Sequence, residues 1–276
     1  MMKINTYKPN ITVFQSELYK TNSTVIESDD CIILIDPTWL PSEVEAIQQY
    51  VDKIKGEKPV YLIFTHSDYD HILGYGAFPD ALTIGSNAMK DRNDQASIIE
   101  QIIEFDHEYY LDRSYDIKYP TLHITVLHDG QNVKIGDTKL TFFHAKGHTN
   151  DGIFTVVEPF GFFIMGDYCS DVEFPYIYSN SRDYEATLNK IDTIINDHTL
   201  SLIIPGHGTV TDSIEELMNR KHHSLQYIQQ LRNSIMCNEI EDSFNILHRY
   251  RYPKAMKKCH QSNIELIKNE LFKEEK

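Results

Sequence analysis

The sequence is poor in positive charge. It holds 26 lysines and arginines against 41 aspartates and glutamates, a formal net charge of −15. Nucleic-acid binders carry a basic patch or stripe, so this balance argues against a nucleic-acid partner. Cysteine is scarce as well. Cys31, Cys169, Cys237 and Cys259 stand alone and make no CxxC pair, which leaves neither a cysteine-based zinc motif nor a disulfide framework and fits free thiols in a reducing cytoplasm. Apolar runs end after five or six residues, far short of a membrane span. Met1-Met2-Lys3-Ile4-Asn5-Thr6-Tyr7-Lys8 opens no apolar segment of the kind a secretory leader needs. A G-x-G-x-x-G dinucleotide fingerprint is missing too. The expectation is a cytoplasmic protein away from membranes, acting on a small-molecule substrate.

What is present is concentrated in one stretch, Thr65-His66-Ser67-Asp68-Tyr69-Asp70-His71. The apolar run Val60-Tyr61-Leu62-Ile63-Phe64 leads into it and reads as a buried strand. If the chain stays extended, His66, Asp68 and Asp70 point the same way, and a turn after Asp70 swings His71 toward a second centre. Imidazoles and carboxylates packed this closely are costly in a core unless a cation binds them. Further candidates follow in order: His148 in Gly147-His148-Thr149, Asp167 after Gly166, and His207 in Pro205-Gly206-His207-Gly208. Each follows an apolar segment with glycine beside it, where loops on a rigid sheet place functional groups. Asp36, before Pro37, is either an acceptor for a ligand histidine or a turn residue.

This set resembles the metallo-β-lactamase superfamily, in its hydrolase branch with an H-x-H-x-D-H signature, which includes glyoxalase II and lactonases. The resemblance covers roughly residues 12–210. It implies an α/β fold, the four-layer αββα sandwich. It also implies a dinuclear metal-dependent hydrolase in which a metal-bridging hydroxide attacks an ester, thioester, lactone or phosphoester. By that resemblance His66, Asp68 and His148 hold one metal, Asp70, His71 and His207 the other, and Asp167 bridges them. Asp70 also orients the nucleophile or takes up its proton. The implied cofactors are two divalent ions, zinc first, with manganese or iron as alternatives. The chain departs from the signature at Asp68, which replaces the second histidine. That carboxylate adds negative charge, is a harder ligand than imidazole, and is shorter, so that it binds through a water or misses the metal, which would leave one site weak. The flavodiiron branch carries a glutamate there. An iron oxidoreductase and a catalytically decayed ligand-binding protein are therefore the competing readings.

Around these motifs, Ile11–Phe14, Ser23–Ile26, Cys31–Ile35 and Ala81–Ile84 read as strands. A helix opens at Ser42 with a Ser42–Glu45 capping box. Residues 86–120 read as a helical insertion with an apolar stripe at Ile98, Ile99, Ile102, Ile103 and Phe105, either a lid or packing for the C-terminal helices. Strands follow at 121–126, 131–135, 138–145 and 153–158, then Gly161–Met165, a helix carrying Tyr184 to Ile195, and Ser201–Ile204. Tyr168, Tyr176 and Tyr178 follow Asp167 and are candidates for touching substrate, although for any single one an ordinary amphipathic wall residue is the favoured reading. Cys169 is not needed as a ligand, because Asp167 fills that slot. The expected division is a metallo-β-lactamase-like domain over 1–210 and a helical extension over 211–276 packed on it, which caps the site or forms a homodimer face. His222, His223, His248 and His260 in that tail lack ligand partners at metal spacing and read as surface or packing residues.

Overall fold

The computed structural model describes residues 2–273; Met1 and residues 274–276, the outer ends of the expected domains, lie outside the described residues. The chain forms two compact units, Met1–His144 with Asp151–Phe160, and Ala145–Asn150 with Gly161–Lys276.

The first unit is built on a seven-stranded sheet in chain order: β1 (Lys3–Lys8), β2 (Ile11–Gln15), β3 (Asn22–Glu27), β4 (Ile32–Ile35), β5 (Val60–Ile63), β6 (Leu82–Ser86) and β7 (Ile124–Val126). The pairs from β1 to β4 are antiparallel and those from β4 to β7 parallel. β4 is buried throughout, as its unbroken apolar run requires of a strand covered on both faces. β1 has a polar, mostly exposed sequence and no apolar signal to announce it. An antiparallel meander, β8 (Gln131–Ile135), β9 (Thr138–His144) and β10 (Ile153–Glu158), completes the strands of this unit.

Helix α1 (Pro41–Lys55) starts earlier than the Ser42–Glu45 box suggests. Pro41 is pre-set for a first helical turn, and Glu43 rather than Glu45 reaches back, accepting the Leu40 N–H at 3.1 Å and the Ser16 hydroxyl at 2.8 Å. The short helix α2 (Tyr69–Ile72) carries half of the metal motif. The insertion forms α3 (Asn87–Lys90) and α4 (Gln95–Tyr109). Helix α4 buries Ile98 and Ile102 in the core of this unit, beside Trp39, Phe64 and Ile72. Its Phe105 ring lies 4.8 Å from Trp39 and 6.3 Å from Tyr69. The insertion is thus part of this core and leans on the metal motif itself.

The second unit pairs β11 (Phe162–Ile164) with β12 (Leu202–Ile204) in parallel, connected by α5 (Ser181–Asp197), whose first turn is capped by the Asn180 carboxamide. It continues through α6 (Ile214–Met236), the short α7 (Ile240–Ser243), a 3-10 turn over Phe244–Arg249, and α8 (Pro253–Lys273). No helix among the described residues is long and apolar enough to cross a membrane.

His260 of α8 is a packing residue, fully buried among Phe174, Tyr227 and Phe244. Burial pushes its pKa down from 6.5 to about 4. The unfolded chain therefore takes up this proton before the folded one. The resulting stability is full above about pH 6.5 and is lost as pH falls toward 4, on the order of 1 kcal/mol between pH 6.5 and 5. Denaturant midpoints at those two values should differ less in His260→Gln than in the wild type; an unchanged difference would show that another group carries the titration.

Candidate metal centre

The first half of the site sits at the C-terminal ends of β4 and β5. The strand ends at Ile63, the chain bends at Thr65, Asp68 is extended, and α2 begins at Tyr69. The turn therefore comes before Asp70, not after it, and the motif separates into two pairs. His66 Nε2 lies 3.7 Å from Asp68 Oδ2. His71 Nε2 lies 3.5 Å from Asp70 Oδ2. The two imidazole rings are 4.0 Å apart.

Asp36 ties these pairs together. It is buried, at 1 % exposure, and sits at φ +45, a left-handed conformation that is uncommon for a residue with a side chain. Its Oδ1 accepts the Thr65 N–H at 2.9 Å. Its Oδ2 accepts the Thr65 hydroxyl at 2.5 Å and His71 Nδ1–H at 2.8 Å. Because Thr65 donates its proton to Asp36, its oxygen accepts from His66 Nδ1, 3.0 Å away. One carboxylate thus fixes both histidines in the tautomer that turns the Nε2 lone pair toward a metal. Of the two readings of Asp36, the structure supports the acceptor. Ser67, between the ligands, donates a short hydrogen bond to Asp151, and Arg92 donates to Ser67 at 2.9 Å. Burial, then the Asp70 carboxylate, pushes the Tyr69 hydroxyl pKa up, so Tyr69 stays a protonated donor beside the motif.

The second half has the same logic. Asp167 Oδ2 lies 3.3 Å from His148 Nε2 and 3.2 Å from His207 Nε2. His148 Nδ1 donates to the Tyr176 carbonyl at 2.7 Å. Gly206 leaves room for the Asp167 carboxylate: a Cβ there would meet Asp167 Oδ1 at 2.3 Å. Gly147, at φ +121, lets the chain pass the Tyr184 backbone, where a Cβ would come within 2.2 Å. The buried Tyr168 accepts the His148 N–H at 3.0 Å and donates to the Lys146 carbonyl at 2.7 Å. It is therefore a wall residue that holds the Gly147–Thr149 turn, whereas Tyr178 is half exposed with its ring 5.1 Å from His148. Cys169 is buried, and burial pushes its thiol up to about 12, so it remains a protonated thiol.

The residues present fit metal ions. The Nδ1 atoms of His66, His71 and His148 are committed to oxygen acceptors, and each Nε2 lies beside a carboxylate oxygen, an arrangement that is costly without a cation. Thr65 and the Tyr176 carbonyl were not legible as parts of the site. A threonine next to a ligand is unremarkable in sequence, and a backbone carbonyl has no residue-type signal.

Comparison with known proteins agrees with this chemistry. Residues 17–207 match the family model described as Metallo-beta-lactamase superfamily. The chain belongs to that superfamily. A curated relative, a metallo-beta-lactamase type 2 of Bacillus sp. (strain 170), is 25% identical over 206 residues, 72% of this chain and 71% of its own. A solved metallo-beta-lactamase from Pontibacter korlensis aligns with a TM-score of 0.58 at 15% identity, covering 82% of this chain and 99% of that one. Another, described as a B3 metallo-beta-lactamase with an active-site glutamic acid, aligns with a TM-score of 0.57 at 14% identity, covering 82% and 89%. The fold is the mixed α/β sandwich of the superfamily, as the motifs imply.

Asp36→Ala should weaken zinc binding about 10–100-fold, the usual effect of losing a partner of a ligand histidine. It should also lower stability by about 1–3 kcal/mol, because the Thr65 and His71 donors are left buried without their acceptor. Chelator competition and thermal melting measure the two effects. A variant with wild-type zinc affinity would show that Asp36 does not orient the ligands.

Proposed function

We propose that the protein is a dinuclear metal-dependent hydrolase acting on a small ester, thioester, lactone or phosphoester. The observation that carries the reading is Asp167, with one carboxylate oxygen against the Nε2 atoms of two histidines. A carboxylate so placed suits a ligand shared by two ions. In this reading His66, Asp68 and His148 hold one ion, Asp70, His71 and His207 hold the other, and Asp167 belongs to both. The pairing of His66 with Asp68 and of Asp70 with His71 supports that division.

Two bound divalent ions supply an activated water and counter the negative charge that develops on the attacked oxygen. The protein's own groups do the rest. Asp36 and the Tyr176 carbonyl keep the imidazoles neutral at Nε2 and fixed in direction. Asp70, with a side chain still partly accessible, is placed to orient the water and accept its proton. Asp68 Oδ2 lies 3.7 Å from His66 Nε2, which favours a ligand role for it, while the tighter group around that ion is His66, His148 and Asp167. Its added negative charge leaves the centre less electrophilic than an all-histidine equivalent and shifts preference toward manganese or iron relative to zinc. Zinc remains the first expectation for the set as a whole.

The test is a panel of ester, thioester, lactone and phosphodiester substrates. A β-lactam is included because curated and structural relatives carry that name. Hydrolysis should be lost on chelation and restored by zinc or manganese. Asp167→Ala should reduce bound metal from two ions toward none, as the only ligand common to both, and Asp68→His should retain zinc more tightly. Full metal content and full activity in Asp167→Ala would refute the shared-ligand assignment.

A further inference from the structure

We propose that Asn263, on the C-terminal helix α8, is a positioning residue for the metal ligand His148, acting through the peptide unit between Tyr176 and Ile177; the proposal rests on the metal-dependent reading above. The Asn263 side chain is 1 % exposed. Its Oδ1 accepts the Ile177 N–H at 2.9 Å. Its Nδ2 donates to the Pro175 carbonyl at 2.7 Å and to the Tyr227 hydroxyl at 2.9 Å. The amide can face only one way, because turning it over would set N–H against N–H and oxygen against oxygen.

The geometry of one peptide carries the argument. The N–H that Asn263 holds and the carbonyl that receives His148 Nδ1–H at 2.7 Å belong to the same planar unit. A peptide is rigid about its C–N bond, so fixing the N–H fixes the direction of the carbonyl, and with it the plane of the imidazole. Hydrogen bonds in a chain also polarise one another. An acceptor on the N–H makes the carbonyl a stronger acceptor, and a stronger acceptor at Nδ1 makes Nε2 a better metal ligand.

The clamp is itself braced. Tyr227 accepts from Asn263 and donates to His260 Nδ1 at 2.9 Å. His260 Nε2–H donates to Ser243 Oγ at 3.0 Å, and Ser243 donates to the Ile240 carbonyl at 2.6 Å. Phe174 stacks on Tyr227 with ring centroids 4.6 Å apart. Every donor in the series has one acceptor, so the polar chain stays ordered within an apolar helical core. The residues that match the superfamily end at 207. The brace is thus built from this chain's own C-terminal helices, which gives them a part in the site beyond cover.

The experiment uses the full chain and zinc as the probe. Zinc affinity is measured by chelator competition, and the His148 Nδ1–H resonance is followed in zinc-loaded, nitrogen-15-labelled protein. Asn263→Ala should weaken zinc binding by less than the about 10–100-fold typical of losing a direct partner of a ligand, on the order of several-fold, and should shift the His148 resonance or speed its exchange with water. The His71 Nδ1–H, held by Asp36, should not change. Asn263→Asp keeps an oxygen for Ile177 but loses both donors; it should show a smaller effect of the same kind and serves if the alanine variant does not fold. Ile267→Ala, which removes buried volume from the same helix, should lower stability without either change. Wild-type zinc affinity and an unmoved His148 resonance in Asn263→Ala would overturn the proposal, as would an equal loss in Ile267→Ala. A wild-type chain that takes up neither zinc, manganese nor iron overturns the metal reading, and this proposal with it, before any variant is needed.

Discussion

The hydrogen bonds of the buried Asp36 carboxylate are the constraint on which the first half of the site depends. A histidine that binds metal through one nitrogen almost always donates its other N–H to an acceptor, which fixes the ring. His66 lies on the stretch between β5 and α2, and His71 lies within α2. A single acceptor at the end of β4 serves both, directly for His71 and through Thr65 for His66. The parallel pairing of β4 with β5 makes this available, since it brings Ile35 level with Ile63 and so sets the residues that follow them side by side. The Ser23 hydroxyl donates to the Asp36 carbonyl at 2.7 Å and helps to hold the unusual backbone there.

The second half meets the same requirement with backbone in place of a carboxylate. His148 gives its Nδ1 proton to a peptide carbonyl, and a helix far along the chain holds that peptide. A carboxylate acceptor such as Asp36 raises imidazole basicity more than a neutral carbonyl does. The surroundings of the two histidines are therefore not equivalent. His71 is tuned by charge and His148 by geometry, so damage to the helical region should disturb the placement of His148 before it disturbs anything in the first unit.

The strands that define the sheets were legible because buried runs such as Cys31–Ile35 and Val60–Phe64 have no other comfortable state. The candidate ligands stand out in the sequence because histidine and aspartate crowd residues 66–71 just past a strand and recur beside glycine at three later strand ends. β1 was not, since an exposed edge strand carries no apolar signal. The turn inside the metal motif comes about two residues earlier than alternation implies, because alternation describes a strand only while the chain remains extended, and Tyr69 enters α2, where it packs on Trp39 and Phe105. The start of α1 was misplaced for a similar reason: the Ser42–Glu45 spacing is a local signal, and the buried contact of Glu43 with Ser16 is a tertiary one. The role of Asn263 lay out of reach, since an asparagine in an amphipathic helix reads as surface until its partners, 86 and 88 residues away in sequence, are known.

The central claim is that this constellation holds two metal ions through a shared Asp167. Elemental analysis of the purified protein, giving metal identity and the ratio of metal to chain, tests it most directly. The account predicts about two divalent ions per chain, zinc or manganese. One ion per chain would contradict the dinuclear assignment and point to Asp68 as the failed ligand. No metal after reconstitution would contradict the account as a whole.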